Sequence, residues 1–214
     1  MSLEQNYLYL SNVLEKAIIL PVLVIENVND AVPLAEALLE GGCSSVEVTL
    51  RTEAALPAME RIAKALPELS LGAGTLLEAE QFLQVKNAGA HYALSPGTTR
   101  TLAQAAISAK IAYVPAAATP SEVLELRELG FNIQKLFPAG ASGGIEMLKS
   151  LASPIADVRF CPTGGVSTTN VNDYLKQPNV ICVGGSWLAP KNLVAEKNWP
   201  AIRKIVRESL AAVS

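Results

Sequence analysis

The chain has 214 residues, of which half are hydrophobic and 17% charged; it is long enough for one large core, and this balance is typical of a sheet covered by helices. Its 17 basic and 20 acidic residues are scattered and give a net charge of −3, so no basic face is available for a nucleic-acid partner. Because no apolar run reaches the roughly 20 residues that cross a bilayer, and the first residues do not resemble a signal peptide, we predict a cytoplasmic protein without a membrane partner.

Short apolar runs rich in β-branched residues alternate eight times with longer segments of helical periodicity, after a leading helix near residues 3–15. The predicted strands are 18–26, 45–50, 69–75, 91–95, 111–115, 133–137, 158–163 and 180–183. Start and stop signals indicate helices between them, including 31–40, 53–66, 122–129 and 199–213. This order predicts an α/β protein with a single domain over 1–214, a (β/α)8 TIM barrel with an extra N-terminal helix.

An open doubly wound sheet is the alternative fold. Its usual glycine-rich phosphate loop after the first strand is missing here, because Ile25-Glu26-Asn27 occupies that turn. A barrel places its active site where the carboxyl ends of the strands meet the following loops, so the candidate residues are sought there.

Three polar side chains share one face of the second predicted strand at a period of two: Glu47, Thr49 and Arg51. An inward-facing carboxylate needs a partner or a chemical role, and opposite a nucleophilic amine Glu47 would transfer protons. The planar guanidinium of Arg51 suits a substrate carboxylate. The alternative is that Glu47 forms an ion pair for stability alone.

The third and fourth predicted strands end in Gly72-Ala73-Gly74-Thr75 and Ser95-Pro96-Gly97. The glycines clear space at the mouth of the barrel, and the Thr75 hydroxyl and the turn at Pro96 offer hydrogen-bonding groups to a keto acid. Each segment by itself also fits an ordinary loop.

A lysine lies within the apolar sixth predicted strand, near its carboxyl end. Lys135 shares a face with Ile133 and Phe137, and burial there favours the neutral, nucleophilic amine. Such amines attack keto groups to form Schiff bases. A lysine that extends to solvent or pairs with an acid remains the structural alternative.

The last two predicted strands are followed by glycine pairs, in Pro162-Thr163-Gly164-Gly165 and Gly184-Gly185-Ser186. Glycine lets backbone amides approach an anion closely, and phosphate sites of barrels lie at these two strand ends. The following segment 167–170 supplies an N-cap that would direct a helix N-terminus at the same anion. One glycine pair often means only a tight turn, but two at neighbouring strand ends predict a phosphate site.

Neither the cysteines nor the single histidine predicts a further site. Cys43, Cys161 and Cys182 are widely spaced in apolar surroundings, which is typical of reduced, buried thiols. His91 stands at the start of a strand, and one histidine cannot build a multi-histidine metal site.

Together these motifs resemble the 2-keto-3-deoxy-6-phosphogluconate (KDPG) aldolase and 4-hydroxy-2-oxoglutarate aldolase family, from about residue 16 to the end. The matching segments are 47–51, 72–75, 95–97, 135–138, 162–165 and 184–187. The resemblance implies a class I aldolase that cleaves a small phosphorylated keto acid, 2-dehydro-3-deoxy-6-phosphogluconate, to pyruvate and glyceraldehyde 3-phosphate, as in the Entner–Doudoroff pathway. It also implies a homotrimer that uses no metal or other cofactor, with possible activity on 4-hydroxy-2-oxoglutarate.

Position by position, the resemblance implies that Lys135 forms the Schiff base and that Glu47 is the general acid and base. It assigns the pyruvyl part of the substrate to Arg51, Thr75 and Pro96. Phe137 is implied to pack beside the imine, and Thr163 to influence which aldehyde face reacts. The implied phosphate-binding residues are Gly164, Gly165, Gly184, Gly185 and Ser186.

The chain departs from the family pattern after Pro115, where a glycine and a serine are replaced by Ala116 and Ala118. The change narrows the mouth and removes a donor, which puts the preferred aldehyde in doubt. An aldolase for the galactonate epimer is therefore one alternative. Because other enzymes share the barrel and its phosphate site, a metal-free sugar-phosphate isomerase or epimerase is a second, and a non-catalytic protein that binds a phosphorylated acid is a third.

Overall fold

In the computed structural model, residues 2–213 are described; the predicted domain 1–214 extends beyond them by Met1 and Ser214. The strands are β1 Ile19–Leu23, β2 Ser45–Thr49, β3 Ser70–Gly74, β4 Tyr92–Leu94, β5 Ala112–Val114, β6 Ala116–Ala117, β7 Ile133–Leu136, β8 Arg159–Pro162 and β9 Val183–Gly185. The α-helices are α1 Leu3–Ala17, α2 Ala31–Gly41, α3 Ala55–Ala65, α4 Gln81–Asn87, α5 Arg100–Ala109, α6 Pro120–Glu128, α7 Gly144–Ala152, α8 Val171–Leu175, α9 Lys191–Ala195 and α10 Trp199–Ala211. Among these residues, no helix combines the length and the apolar character needed to cross a membrane.

The strands form an α/β fold with a curled parallel sheet in two parts. One part has the order β5-β4-β3-β2-β1-β9 and the other the order β6-β7-β8. Two isolated parallel bridges, Phe160 to Val180 and Thr163 to Gly184, connect β8 with the segment that contains β9. All other strand pairs are parallel as well, which places every strand's carboxyl end at the same edge.

The fifth predicted strand, 111–115, contains β5, and a second short strand that the sequence analysis did not predict, β6, follows it after Pro115. β5 pairs with β4 up to the rung of Leu94 and Val114, whereas β6 pairs with β7 from the rung of Ala116 and Lys135. Pro115 lies between the two rungs and has no N–H to donate to a ladder, although its carbonyl accepts the Lys135 N–H at 2.8 Å. Residues 2–213 therefore contain nine strands where the sequence predicts eight.

The last predicted strand, 180–183, lies too early in the chain. β9 spans Val183–Gly185, because its ladder is made with β1 and begins at the rung of Ile19 and Val183. Of the predicted segment, Val180 forms only the isolated bridge to Phe160. The prediction thus included Val183 but missed Gly184 and Gly185, and it added three residues that lead into the strand.

Buried apolar side chains form two layers, one inside the curl of the sheet and one between the strands and the outer helices. The inner layer combines Leu10 and Leu14 of α1 with Tyr92, Ala112 and residues near the starts of other strands. The leading helix therefore packs against the amino-terminal side of the inner layer. The carboxyl ends of the strands are left for the polar side chains that the sequence places there.

The first turn of α6 is closed by a capping box, with Pro120 as its first residue. The Thr119 hydroxyl accepts the Glu122 N–H at 3.3 Å, and the Glu122 carboxylate accepts the N–H groups of Thr119 and Ala118 at 2.9 and 2.8 Å. These hydrogen bonds, led by that from Ala118, hold the pKa of Glu122 below its ordinary value of 4.5.

We expect Glu122→Ala to lower the free energy of unfolding by about 1 kcal/mol at pH 7, because it removes the reciprocal cap. Because folding lowers the pKa of Glu122, its stabilising contribution is present above the pKa of the unfolded chain and is lost as the pH falls through the pKa of the folded protein. The difference in unfolding free energy between wild type and variant should therefore shrink below about pH 4.5. Urea unfolding between pH 7 and 3 measures it. The control is Glu128→Ala, which removes an equal charge from the last residue of the same helix; an equal loss in both variants would contradict the capping role.

Candidate active site

A buried ion pair joins the two residues that the sequence predicts for chemistry. Lys135 Nζ lies 3.1 Å from Glu47 Oε1 and 3.3 Å from Oε2, and the side chains are only 5% and 1% exposed. The two residues come from β7 and β2, in the two different parts of the sheet. Since a buried ion pair is a weak stabiliser, its burial directs attention to chemistry.

The carboxylate of Glu47 occupies space that only a glycine at position 74 leaves free. A Cβ on Gly74 would lie 2.0 Å from Glu47 Oε1. Gly74 is the last residue of β3, the strand that pairs with β2 beside Glu47. The expectation that the glycines of the third strand clear space is confirmed at this position.

An aromatic ring and the thiol of Cys161 lie near Lys135, and a second thiol, that of Cys182, is hydrogen-bonded to Cys161. Nζ is 5.5 Å from the centroid of the Phe137 ring, within the range of a cation–π contact. Lys135 pairs across the sheet with Cys161. A hydrogen bond with Cys182 and the positive charge of Lys135 hold the pKa of Cys161 below its usual value, while the same hydrogen bond and burial raise the pKa of Cys182. Lys135, Cys161 and Cys182 are all buried.

Arg51 and Thr75 meet at the exposed rim above the ion pair. Arg51 Nε donates to Thr75 Oγ1 at 3.3 Å, and Thr75 has a positive φ of 64° just after β3. The sequence analysis assigned both residues to the pyruvyl part of the substrate, and the structure places their side chains within hydrogen-bonding distance. The guanidinium is otherwise exposed, so most of its donors face solvent.

The glycine pair that follows β8 lies beside the glycine pair that ends β9. The Thr163 to Gly184 bridge connects their strands, and a Cβ on Gly184 would lie 2.2 Å from Thr163 Oγ1. Gly164 and Gly165 both have positive φ, 89° and 82°, which glycine tolerates without strain. Ser186 is exposed at the end of β9.

The helix that was predicted to direct its N-terminus at the glycine pairs is shorter than expected and has no capping hydrogen bond. Asn170 makes no capping bond to α8, which has only five residues; its side chain instead accepts the Ser167 N–H at 2.8 Å and donates to the Gly165 carbonyl at 2.9 Å. The 167–170 segment thus braces the loop that carries Gly165, and a helix this short has little dipole to offer.

Pro96 is half-buried in the turn that follows β4. A cavity of about 710 Å³ opens beside the site instead of over Lys135, between the end of β1 and α9. Ser186 is the one expected site residue among those that line it.

The three cysteines are free and buried, as predicted, and burial raises the pKa of Cys43 to about 12. His91 accepts the Leu71 N–H at Nδ1, 3.0 Å away, which agrees with a structural role.

Comparisons with known proteins agree on one family. The family model for KDPG and KHG aldolase matches residues 10–205. The 2-dehydro-3-deoxy-phosphogluconate aldolase of Pseudoalteromonas atlantica is 45% identical over 196 residues, 92% of this chain and 91% of that protein. The KHG/KDPG aldolase of Escherichia coli K12 is 44% identical over 192 residues, 90% of each chain. The crystal structure of KDPG aldolase from Legionella pneumophila, with pyruvate captured as a covalent carbinolamine, has a TM-score of 0.91, 43% identity, and coverage of 93% of this chain and 97% of that one.

Proposed function

The chain belongs to the KDPG and KHG aldolase family, and on that premise we propose that it is a class I aldolase that cleaves 2-dehydro-3-deoxy-6-phosphogluconate to pyruvate and glyceraldehyde 3-phosphate. The observation that carries this proposal is the buried Lys135 and Glu47 pair at the common carboxyl edge of the strands. A lysine held against a carboxylate has a proton acceptor within hydrogen-bonding distance, which Schiff-base chemistry requires.

In the first step, Glu47 accepts a proton from Lys135, and the free amine attacks the keto carbon of the substrate. The carbinolamine that forms must lose its hydroxyl as water. Glu47 returns the proton to that hydroxyl, so water leaves and an iminium remains on Nζ.

In the second step, the iminium accepts the electrons of the bond between the third and fourth carbons. Glu47, directly or through a water, takes the proton of the hydroxyl on the fourth carbon, and the aldehyde leaves. The enamine left on Lys135 is then protonated at the third carbon, and hydrolysis releases pyruvate and restores the amine. The Phe137 ring, 5.5 Å from Nζ, is close enough to stabilise a cation at this nitrogen.

We further propose how the substrate is held. Arg51 and Thr75, hydrogen-bonded to each other at the rim, would bind the carboxylate and keto oxygen, with the Pro96 turn beside them. The phosphate would lie against the backbone of the glycine pairs and the hydroxyl of Ser186, with Thr163 between this end and Lys135. The bridge that places Gly184 beside Thr163 and the positive φ values of Gly164 and Gly165 support this assignment.

For Arg51→Lys we expect KM for the keto acid to rise roughly 10-fold to 100-fold, with a smaller change in kcat, because an ammonium cannot make the two parallel hydrogen bonds of a guanidinium. Steady-state kinetics in a coupled pyruvate assay measures it. The matched control is Arg61→Lys, an exposed arginine bonded to Asn29 on the outer helices. If both variants keep wild-type KM, Arg51 does not bind the carboxylate.

The proposed function is tested by incubating the protein with pyruvate, reducing with borohydride, and mapping the added mass on peptides. A pyruvyl adduct on Lys135 supports the class I mechanism. A folded protein that acquires no adduct would contradict it and favour a metal-free isomerase or a binding protein.

A second substrate, 4-hydroxy-2-oxoglutarate, is proposed because the Escherichia coli relative carries both activities in its name. Its cleavage to pyruvate and glyoxylate needs the same Lys135 and Glu47 steps and no phosphate site. Substitution in the glycine loops should therefore impair cleavage of the phosphorylated substrate more than that of 4-hydroxy-2-oxoglutarate.

For the architecture, we propose that the curled sheet closes into an eight-stranded TIM barrel within one domain. The two isolated bridges beside β9 and the chain continuity through Pro115 support closure on both sides. A homotrimer and a cytoplasmic location are proposed from the family resemblance and the sequence, and sedimentation and cell fractionation test them.

A further inference from the structure

The two parts of the sheet meet beside Lys135 at a gap in the β-ladder. β4 and β5 pair up to Leu94 and Val114, and the next residue able to donate from this segment is Ala116. No strand residue of β4 accepts the Ala116 N–H. It donates instead to the side-chain hydroxyl of Thr98, at 2.9 Å. Thr98 thus replaces the missing rung of the sheet.

Thr98 is itself held by a cluster of hydroxyl groups. The Tyr113 hydroxyl is 2.5 Å from Ser95 Oγ and 3.3 Å from Thr98 Oγ1, and Ser95 Oγ is 3.3 Å from Thr98 Oγ1. Burial raises the pKa of Tyr113, which keeps its proton available for donation. The ring packs edge-on against Phe82 and Phe131, with centroids 5.0 and 5.6 Å away, so the hydroxyl is fixed in position.

This cluster is connected to the nucleophile through two backbone contacts. Ala116 is the cross-strand partner of Lys135, and the Lys135 N–H donates to the carbonyl of Pro115. Residues 115 and 116 are therefore bonded to Lys135 on one side and to Thr98 on the other. The turn that contains Pro96 is enclosed between Ser95 and Thr98, both members of the cluster.

We propose that Thr98, held by Ser95 and Tyr113, is a positioning residue that fixes the backbone of Lys135 and the Pro96 turn relative to each other. The inference rests on the proposed Schiff-base function. This half-buried arrangement matters because small displacements of a nucleophile reduce its rate steeply, by as much as roughly 100-fold for about 1 Å. The cluster also lies next to Ala116, where the chain departs from the family pattern.

The test compares Thr98→Val, which keeps the shape but removes the hydroxyl, with Thr98→Ser, which restores it. Tyr113→Phe is a milder variant that keeps the ring packing. Ser45→Ala is the matched control, since the buried Ser45 hydroxyl also joins neighbouring strands, through Tyr92 and the Ser70 carbonyl, but at their amino-terminal ends. For each protein one measures the thermal midpoint, the rate of borohydride-trapped adduct formation with pyruvate, and kcat and KM.

We expect adduct formation and kcat to fall roughly 10-fold to 100-fold in Thr98→Val, less in Tyr113→Phe, and little in Thr98→Ser or Ser45→Ala. The thermal midpoints of Thr98→Val and Ser45→Ala should fall by similar amounts, which separates positioning from stability. If Thr98→Val does not fold, the adduct rate and kcat of Tyr113→Phe are compared with those of wild type and Ser45→Ala instead. Adduct rates that follow the thermal midpoints alone, or a Thr98→Ser variant as slow as Thr98→Val, would overturn the proposal. A wild-type protein that forms no adduct would instead contradict the proposed function.

Discussion

Lys135→Ala is expected to remove cleavage of the keto acid and the pyruvyl adduct together, with turnover reduced by on the order of 10⁶-fold, the lower range of ordinary enzymatic acceleration. The reason is that no other lysine lies against Glu47, whose carboxylate is bonded to Nζ at 3.1 and 3.3 Å. Borohydride trapping and the coupled pyruvate assay measure the two losses. Substantial remaining cleavage by the variant would remove Lys135 from the mechanism.

Stability must be separated from chemistry in this variant. Removal of the ammonium leaves a buried carboxylate without its cation, which costs about 3–5 kcal/mol. The control is the double variant Glu47→Gln with Lys135→Met, in which neither charge remains and much of the stability should return. We expect the double variant to be folded and still inactive. If unfolding caused the loss of cleavage in Lys135→Ala, the double variant would instead recover activity.

The meeting of Lys135 and Glu47 could be predicted from the sequence because it depends on local patterns. A period of two places Glu47 and Arg51 on one face, and a lysine in an apolar strand indicates its own burial. Parallel strands then bring the carboxyl ends together, so Glu47 and Lys135 meet although 88 residues separate them. This conclusion did not require knowledge of which strands are neighbours in the sheet.

What the sequence did not predict depends on partners distant in the chain. The start of β9 is set by its ladder with β1, and the break at Pro115 is set by which neighbour each half of the segment finds. The same holds for the hydroxyl cluster. Tyr113 has the pattern of an ordinary core residue, and only its contacts with Ser95 and Thr98 give it another role. The proline at the end of the predicted strand 111–115 was the one local sign of the break.

For Glu47→Gln we expect kcat to fall by about 10²-fold to 10⁴-fold, the usual contribution of a general acid and base. The amide has nearly the shape of the carboxylate and fits the space beside Gly74, but it cannot accept the proton of Lys135 or return one to the carbinolamine hydroxyl. Adduct formation should become slow without being abolished, since Lys135 remains. Exchange of the methyl protons of pyruvate with deuterated solvent, followed by NMR, measures the enamine step directly.

The matched control is Glu26→Gln, the same exchange at an exposed glutamate that lines the neighbouring cavity, of which Lys135 is not a lining residue. It should exchange pyruvate protons at the wild-type rate. If Glu47→Gln, folded, also exchanges them at that rate, the proton acceptor lies elsewhere and the ion pair serves stability. Slow exchange in Glu47→Gln alone would instead show that the carboxylate beside Lys135 transfers protons. Proton transfer would then explain why the protein has a buried ion pair, which by itself contributes little to stability.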